Sequence, residues 1–173
     1  IPEIRRLSNG NPIDEYANKH NLGKPSSGEV TLKFRNDTKA RNYGSRLVVS
    51  NDRGTYRIEG AILDAWKKMG WERSRLGLPI TDAICGLPDG GCYQSFENGV
   101  VHWSKGSGAH ATYGAIHDEW AKNKYERGPL GYPVGDEVTK NGSASQKFQY
   151  GTITWSKKDG AKARVPKVSG NAK

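Results

Sequence analysis

Apolar residues recur at spacings of three and four through residues 58–69, at Ile58, Ala61, Ile62, Ala65, Trp66 and Met69. That spacing lays one apolar stripe along a helix. It leaves Asp64, Lys67 and Lys68 facing outward, and Gly70 stands where a helix commonly ends. In the LGLP of residues 76–79 and the LGYP of residues 130–133, proline biases Leu78 and Tyr132 toward extended backbone. The chain therefore turns back at both places. Residues 93–96 and 100–103 alternate in polarity about Asn98-Gly99, a favoured two-residue hairpin turn, and Tyr150-Gly151 takes that place further on. Period two puts Val101 with Trp103 and Ile153 with Trp155 on one face, with Val100, His102, Thr152 and Thr154 on the other. The predicted unit is one short helix, an LGxP turn and a β-hairpin.

The unit is repeated. Shifting the third copy back by 54 residues superposes Gly114, Ala115, Ile116, Asp118, Trp120, Lys122, Glu126, Arg127, Leu130, Gly131, Pro133 and Asp136 on identical residues between Gly60 and Asp82. Past the following loop the offset is 52, matching Gln146, Phe148, Gly151, Trp155 and Ser156 to Gln94, Phe96, Gly99, Trp103 and Ser104. A fixed period of this length signals a repeat architecture. The fold class expected is α+β: three tandem repeats of about 54 residues packed side by side in a pseudo-symmetric ring or arc. Their boundaries fall at residues 1–54, 55–108 and 109–164, with a basic tail at 165–173. The first copy is degenerate. It keeps Leu22, Gly23 and Pro25, has Tyr16 where the others have tryptophan, and lacks the hairpin's Gln, Gly and Trp.

These motifs resemble the LGFP repeat family, whose pattern is a GAI-x-x-x-W helix, a Glu before LG-aromatic-P, an Asp, a Q-x-F-x-x-G-x-I-x-W hairpin and a closing GAH. Gly108, Ala109 and His110 supply a complete GAH. The family resembles wall-association modules of actinobacteria, attached to mycolyltransferases and peptidoglycan hydrolases. The resemblance implies a non-catalytic, secreted protein of the cell wall that holds polysaccharide such as arabinogalactan, or a peptidoglycan-linked glycan, in grooves between repeats.

Hydrophobic residues make up 34%, mean hydropathy is −0.80, and 22 glycines with 8 prolines imply many turns, as short repeats with small shared cores would have. No apolar run is long enough to span a membrane. Ile1 does not open a signal peptide, so any export signal is expected to have been removed already. The net charge of +9 is uneven. The middle copy is neutral, whereas Lys157, Lys158, Lys162, Arg164, Lys167 and Lys173 face only Asp159 after Trp155. Such a run reads as a solvated end, or as attraction to an anionic wall, membrane surface or nucleic acid. Nucleic acid is the weakest of these, because aromatic side chains are not interleaved with the basic ones. Cys85 and Cys92 bracket GLPDGG, in the one loop two residues longer than its counterpart. A structural disulfide is expected there, which points outside the cytoplasm.

Candidate chemistry is sparse. Asp64 with Asp118, Glu72 with Glu126, and Asp82 with Asp136 recur in register, and residues that recur once per copy normally serve the fold. The spacings of His102, His110 and His117 fit no usual zinc pattern, and no nucleophile, metal or cofactor motif is present. Sugar recognition calls for an aromatic face and planar hydrogen-bonding groups. Trp66, Trp103, Trp120 and Trp155 lie on core faces. Trp71 and Tyr125, just beyond their helices beside Glu72-Arg73 and Glu126-Arg127, need not be buried. Gln94 and Gln146 open the hairpins, where an amide bonds either ligand or backbone, and His110 with Tyr113 follows. The candidate ligand-binding set is thus Trp71, Glu72, Arg73, Gln94, His110, Tyr113, Tyr125, Glu126, Arg127 and Gln146. The alternatives are a secreted protein-interaction or inhibitor protein on a repeat scaffold, and a small wall hydrolase.

Overall fold

The computed structural model describes residues 10–167. Among them are three α-helices, α1 (Pro12–Lys19), α2 (Gly60–Met69) and α3 (Gly114–Lys122), and three four-stranded sheets whose strands lie in chain order. The first sheet is β1 (Val30–Leu32), β2 (Arg35–Tyr43), β3 (Arg46–Asn51) and β4 (Gly54–Glu59). The second is β5 (Ile84–Leu87), β6 (Gly91–Phe96), β7 (Gly99–Ser104) and β8 (Gly108–Thr112). The third is β9 (Val138–Lys140), β10 (Ser143–Phe148), β11 (Gly151–Ser156) and β12 (Gly160–Arg164). The fold is α+β with three repeats, as expected, but each repeat carries an antiparallel sheet rather than a lone hairpin. In the third sheet the outer strands show no such alternation, because few of their residues are apolar. β9 is exposed throughout, and β12 reads GAKAR. Their pairing rests on backbone hydrogen bonds, to which any side chain is admissible.

The helix begins two residues later than the apolar stripe. Ile58 is the penultimate residue of β4 and fully buried, and the helix buries Ile62, Leu63 and Trp66. The hairpin turns also move by one residue. Phe148 pairs with Gly151, which leaves Gln149-Tyr150 as the turn, and β6 ends at Phe96 while β7 starts at Gly99, which leaves Glu97-Asn98. Gly151 is needed for space: a Cβ there would meet the Arg164 carbonyl and the Leu130 side chain.

The displaced turn residue explains the LGxP motif. Leu22, Leu76 and Leu130 are buried, and Gly23, Gly77 and Gly131 have φ of +78°, +77° and +74°, a conformation open to glycine. Bare of a Cβ, Gly77 lets the Glu97 carboxylate accept from the Leu78 N–H at 3.0 Å, and Gly131 lets the Gln149 amide oxygen accept from Tyr132 N–H at 3.0 Å. The same glycines accept from the helix tryptophans, Trp66 Nε1 to Gly77 O at 2.8 Å and Trp120 Nε1 to Gly131 O at 3.0 Å. In the second and third copies helix, turn and hairpin are thereby tied through one dipeptide.

Two compact units divide the chain, one of residues 1–83 with 94–97, the other of 84–93 with 98–173. In the first, Ile13, Tyr16, Ala17, Leu22, Tyr43 and Val48 form one cluster, so α1 covers the Val48 face of its own sheet. α2 packs on β3 and β4 as well, and the alternate residues Leu47, Val49 and Ile58 are also buried. In the second unit, Ile116, Trp120, Leu130, Phe148 and Ile153 form a core with Ala144, Trp155, Ala161 and Ala163 against it. α3 thus covers the Ile153 face of the third sheet, while its Trp120 ring also meets His102 of β7 at 4.6 Å.

Candidate functional site

After α2 and α3 the backbone enters a short 3-10 turn whose aromatic residue is left-handed, at φ +58° for Trp71 and +54° for Tyr125. A bulky side chain at positive φ is a true outlier. Both rings stay 42% and 40% exposed, each with an edge-type contact to its helix tryptophan, Trp66 at 5.7 Å and Trp120 at 5.4 Å. The expectation that these two need not be buried is met.

Their surroundings differ. Around Trp71 in the first unit, Phe34 is 50% exposed, the Arg73 guanidinium lies 4.4 Å from the Phe34 ring centre, and Lys67 Nζ lies 5.0 Å from that of Trp71. Glu72 accepts from the Phe34 N–H at 3.2 Å. The result is a pair of half-exposed rings with cations beside them. No sequence signal announces Phe34, because it belongs to the degenerate copy.

Around Tyr125 in the second unit the neighbours are imidazoles. His102, 5% exposed, stacks on Tyr93 at 5.4 Å and lies 6.4 Å from Tyr125, whose ring is 5.8 Å from His117. Burial, then the nearby His117, pulls the His102 pKa down to about 3. Burial also lowers that of His117, against the opposing pull of Asp118, and His117 Nδ1 is 2.7 Å from the fully buried Thr112 hydroxyl. The Glu126 side chain is 6% exposed, with Oε1 at 3.6 Å from His102 Nε2. That oxygen and His102 Nδ1 are buried without a hydrogen-bond partner. Arg127, by contrast, projects outward. Glu72 and Glu126, equivalent in sequence, therefore sit in unlike environments.

Other candidates have structural partners. Gln94 is buried, and its Nε2 donates to the carbonyls of Arg57 at 2.9 Å and Thr81 at 2.8 Å; Gln146 repeats the arrangement on Ala111 at 2.9 Å and Gly135 at 3.0 Å. The even choice between ligand and backbone falls to backbone. Tyr113 is buried at the N-cap of α3. His110 has both ring nitrogens engaged, Nδ1 with Asp136 at 2.8 Å and Nε2 with the Ser107 carbonyl at 2.9 Å. Asp82 accepts from Tyr16 Oη at 2.9 Å and from the Arg57 N–H at 3.0 Å. His102 and His117 share an aromatic cluster, but among the described residues no three His, Cys, Asp or Glu side chains are arranged to hold a metal.

Cys85 and Cys92 form the expected disulfide. Their loop supplies the Pro88 carbonyl that accepts from Tyr132 Oη at 2.6 Å, and burial pushes the Tyr132 pKa up to about 12. The basic residues after Trp155 are less of a tail than expected: Lys162 and Arg164 lie on β12, and Lys157 and Lys158 on the turn before it. Lys173 and the end of the tail lie outside the described residues. No described helix is long and apolar enough to cross a membrane.

No curated protein matches the chain significantly. The model of the LGFP repeat matches three times, over residues 22–74, 76–128 and 130–166, each match opening on the leucine of an LG pair. The degenerate copy is included, and with three successive matches covering most of its length the chain belongs to the LGFP repeat family.

Proposed function

We propose that this chain is a secreted, non-catalytic module that holds actinobacterial cell-wall polysaccharide on its exposed aromatic turns. The observation that carries the reading is the paired left-handed conformation of Trp71 and Tyr125. Strained backbone persists where the surrounding structure over-determines it, and it clusters at ligand sites. Here it holds a ring outward at the same place in two copies, with a flat apolar face for a sugar and Arg73 or Arg127 beside it for hydroxyls. What supports a non-catalytic role is the burial of Glu126: its unpartnered oxygen has almost no solvent contact, which is unsuited to an acid that must meet a substrate.

Two weak sites on one polymer reinforce each other through effective concentration. Retention on purified arabinogalactan, measured for wild type, Trp71→Ala, Tyr125→Ala and the double variant, tests this. Each single variant should lose far more than half the retention, and the double variant nearly all of it. Full retention by the double variant sinks the proposal. A protein-binding scaffold is the second reading, favoured by the exposed Ile84 beside the disulfide. A pull-down that recovers one stoichiometric protein and no glycan would establish it.

A further inference from the structure

The three sheets differ on one face, and the difference points to a second binding surface. Strand register aligns Val48 of β3, Val101 of β7 and Ile153 of β11, all fully buried; their neighbours Val49, His102 and Thr154 point the opposite way. On that opposite face the first sheet carries Leu47, Val49 and Ile58, buried, with α2 packed on their strands. The second carries His102 and Thr112, also buried, with Trp120 of α3 against His102. At the same positions the third sheet carries Thr152, Thr154, Lys162 and Arg164, the last three exposed. Cross-strand pairing continues the face through Lys147, Ser145 and Ser143 of β10 to Lys140 of β9. Apart from the exposed Val138 on β9, opposite Ser145, apolar residues have given way to hydroxyls and cations.

The face is also concave. The lining of a cleft of about 320 Å³ includes Lys140, Ser143, Ser145, Thr154, Lys162 and the carboxylate-bearing Asp159. Lys140 and Lys162 stand on the outer strands, three strand spacings or roughly 14 Å apart, and hydroxyl donors fill the space between them. A polymer with successive anionic groups can reach both lysines across this floor.

We propose that the outer face of the third sheet binds a phosphate-bearing wall glycan, a polyol or sugar chain joined by phosphodiesters. Phosphate oxygens accept from many directions, which suits point-charge lysines and serine or threonine hydroxyls. A nucleic acid would also need exposed rings on which its bases stack, and the one aromatic residue lining the cleft, Trp155, is packed against the core of the third sheet. The proposal rests on the polymer-binding reading above for the wall as the source of the polyanion, and adds an ionic contact remote from Trp71 and Tyr125 in sequence.

The full chain is titrated with poly(glycerol phosphate), an uncharged arabinan oligomer and a single-stranded DNA of matched charge. Wild type should bind poly(glycerol phosphate) more weakly as salt rises. The Lys140→Ser, Lys162→Ser, Arg164→Ser triple variant should lose roughly fivefold in affinity for each charge removed, about the worth of one cation at an anionic surface, with arabinan binding unchanged. Lys24→Ser, Lys68→Ser, Lys105→Ser lowers net charge equally at exposed sites elsewhere, and should bind the phosphate polymer as wild type does. Equal loss in the two triple variants, equal or tighter binding of DNA, or no salt-dependent binding by wild type would each overturn the proposal. Loss of arabinan binding in Trp71→Ala, Tyr125→Ala reports on the aromatic sites alone, so the two readings fail separately.

Discussion

Replacing Gln94 or Gln146 separates scaffold from ligand contact in one experiment. Each amide nitrogen donates two hydrogen bonds to backbone carbonyls at 2.8–3.0 Å, from a side chain buried to 1% exposure. A neutral hydrogen bond stabilises by about 1 kcal/mol net, and leaving a buried partner unsatisfied costs about 1–3 kcal/mol. Gln94→Leu fills most of the volume and removes both donors, for a loss of about 3 kcal/mol. Gln94→Glu keeps the shape, sets a carboxylate against two carbonyls and should cost more. Gln146→Leu should match Gln94→Leu, because the same two bonds are lost, although the effects fall in different compact units. Urea unfolding followed by tryptophan fluorescence reads each unit, with circular dichroism for the whole; glycan retention is measured below the unfolding transition. Unchanged midpoints with abolished retention would refute the backbone role and return the glutamines to the ligand site.

Two further outcomes follow from the titrating groups. His102 has its pKa lowered in the folded chain, so below the unfolded value of about 6.5 the unfolded chain binds more protons. Stability should fall as pH drops from there toward about 3, and His102→Val, the residue type of Val49, should remove about 1.4 kcal/mol per pH unit from that slope; an unaltered slope in pH-dependent urea melts would show that the imidazole is not buried neutral. Glu97 is the opposite case: the two-point hydrogen bond from Arg35 at 2.7 and 2.8 Å, opposed by burial and aided by the Leu78 N–H, holds its pKa down to about 2. Its contribution is complete above the unfolded carboxylate range and lost as pH falls through about 2. Glu97→Ala should lower stability at pH 7 by about 2 kcal/mol and flatten the acid limb, whereas an unshifted acid midpoint would contradict the pairing.

How far the site could be read from the sequence depends on the residue. The repeat placed Trp71 and Tyr125 at equivalent positions beyond their helices, and they are exposed, because the left-handed turn after each helix is a local event of a few residues. Gln94 and Gln146 were equally visible as a repeated pair, yet their partners lie up to 37 residues away. An amide looks the same in sequence whether a sugar or a carbonyl faces it. Phe34 gave no signal, and His102 stood out only as one of three histidines whose spacing fits no metal site. Phe34 sits in a copy whose pattern has decayed, and His102 alternates on a strand as a surface residue would until Trp120 closes over it.

The sequence by itself determined the three-fold repetition, the helices, the LGxP turns, the inner hairpins and the disulfide, since each depends on contacts within one copy and on the periods of 3.6 and 2. Only the tertiary structure decided that each hairpin gains two outer strands, and that a face apolar in the first sheet stands open and basic in the third. Backbone pairing places no demand on side-chain type, and the burial of a sheet face is set by whatever element arrives from elsewhere in the chain.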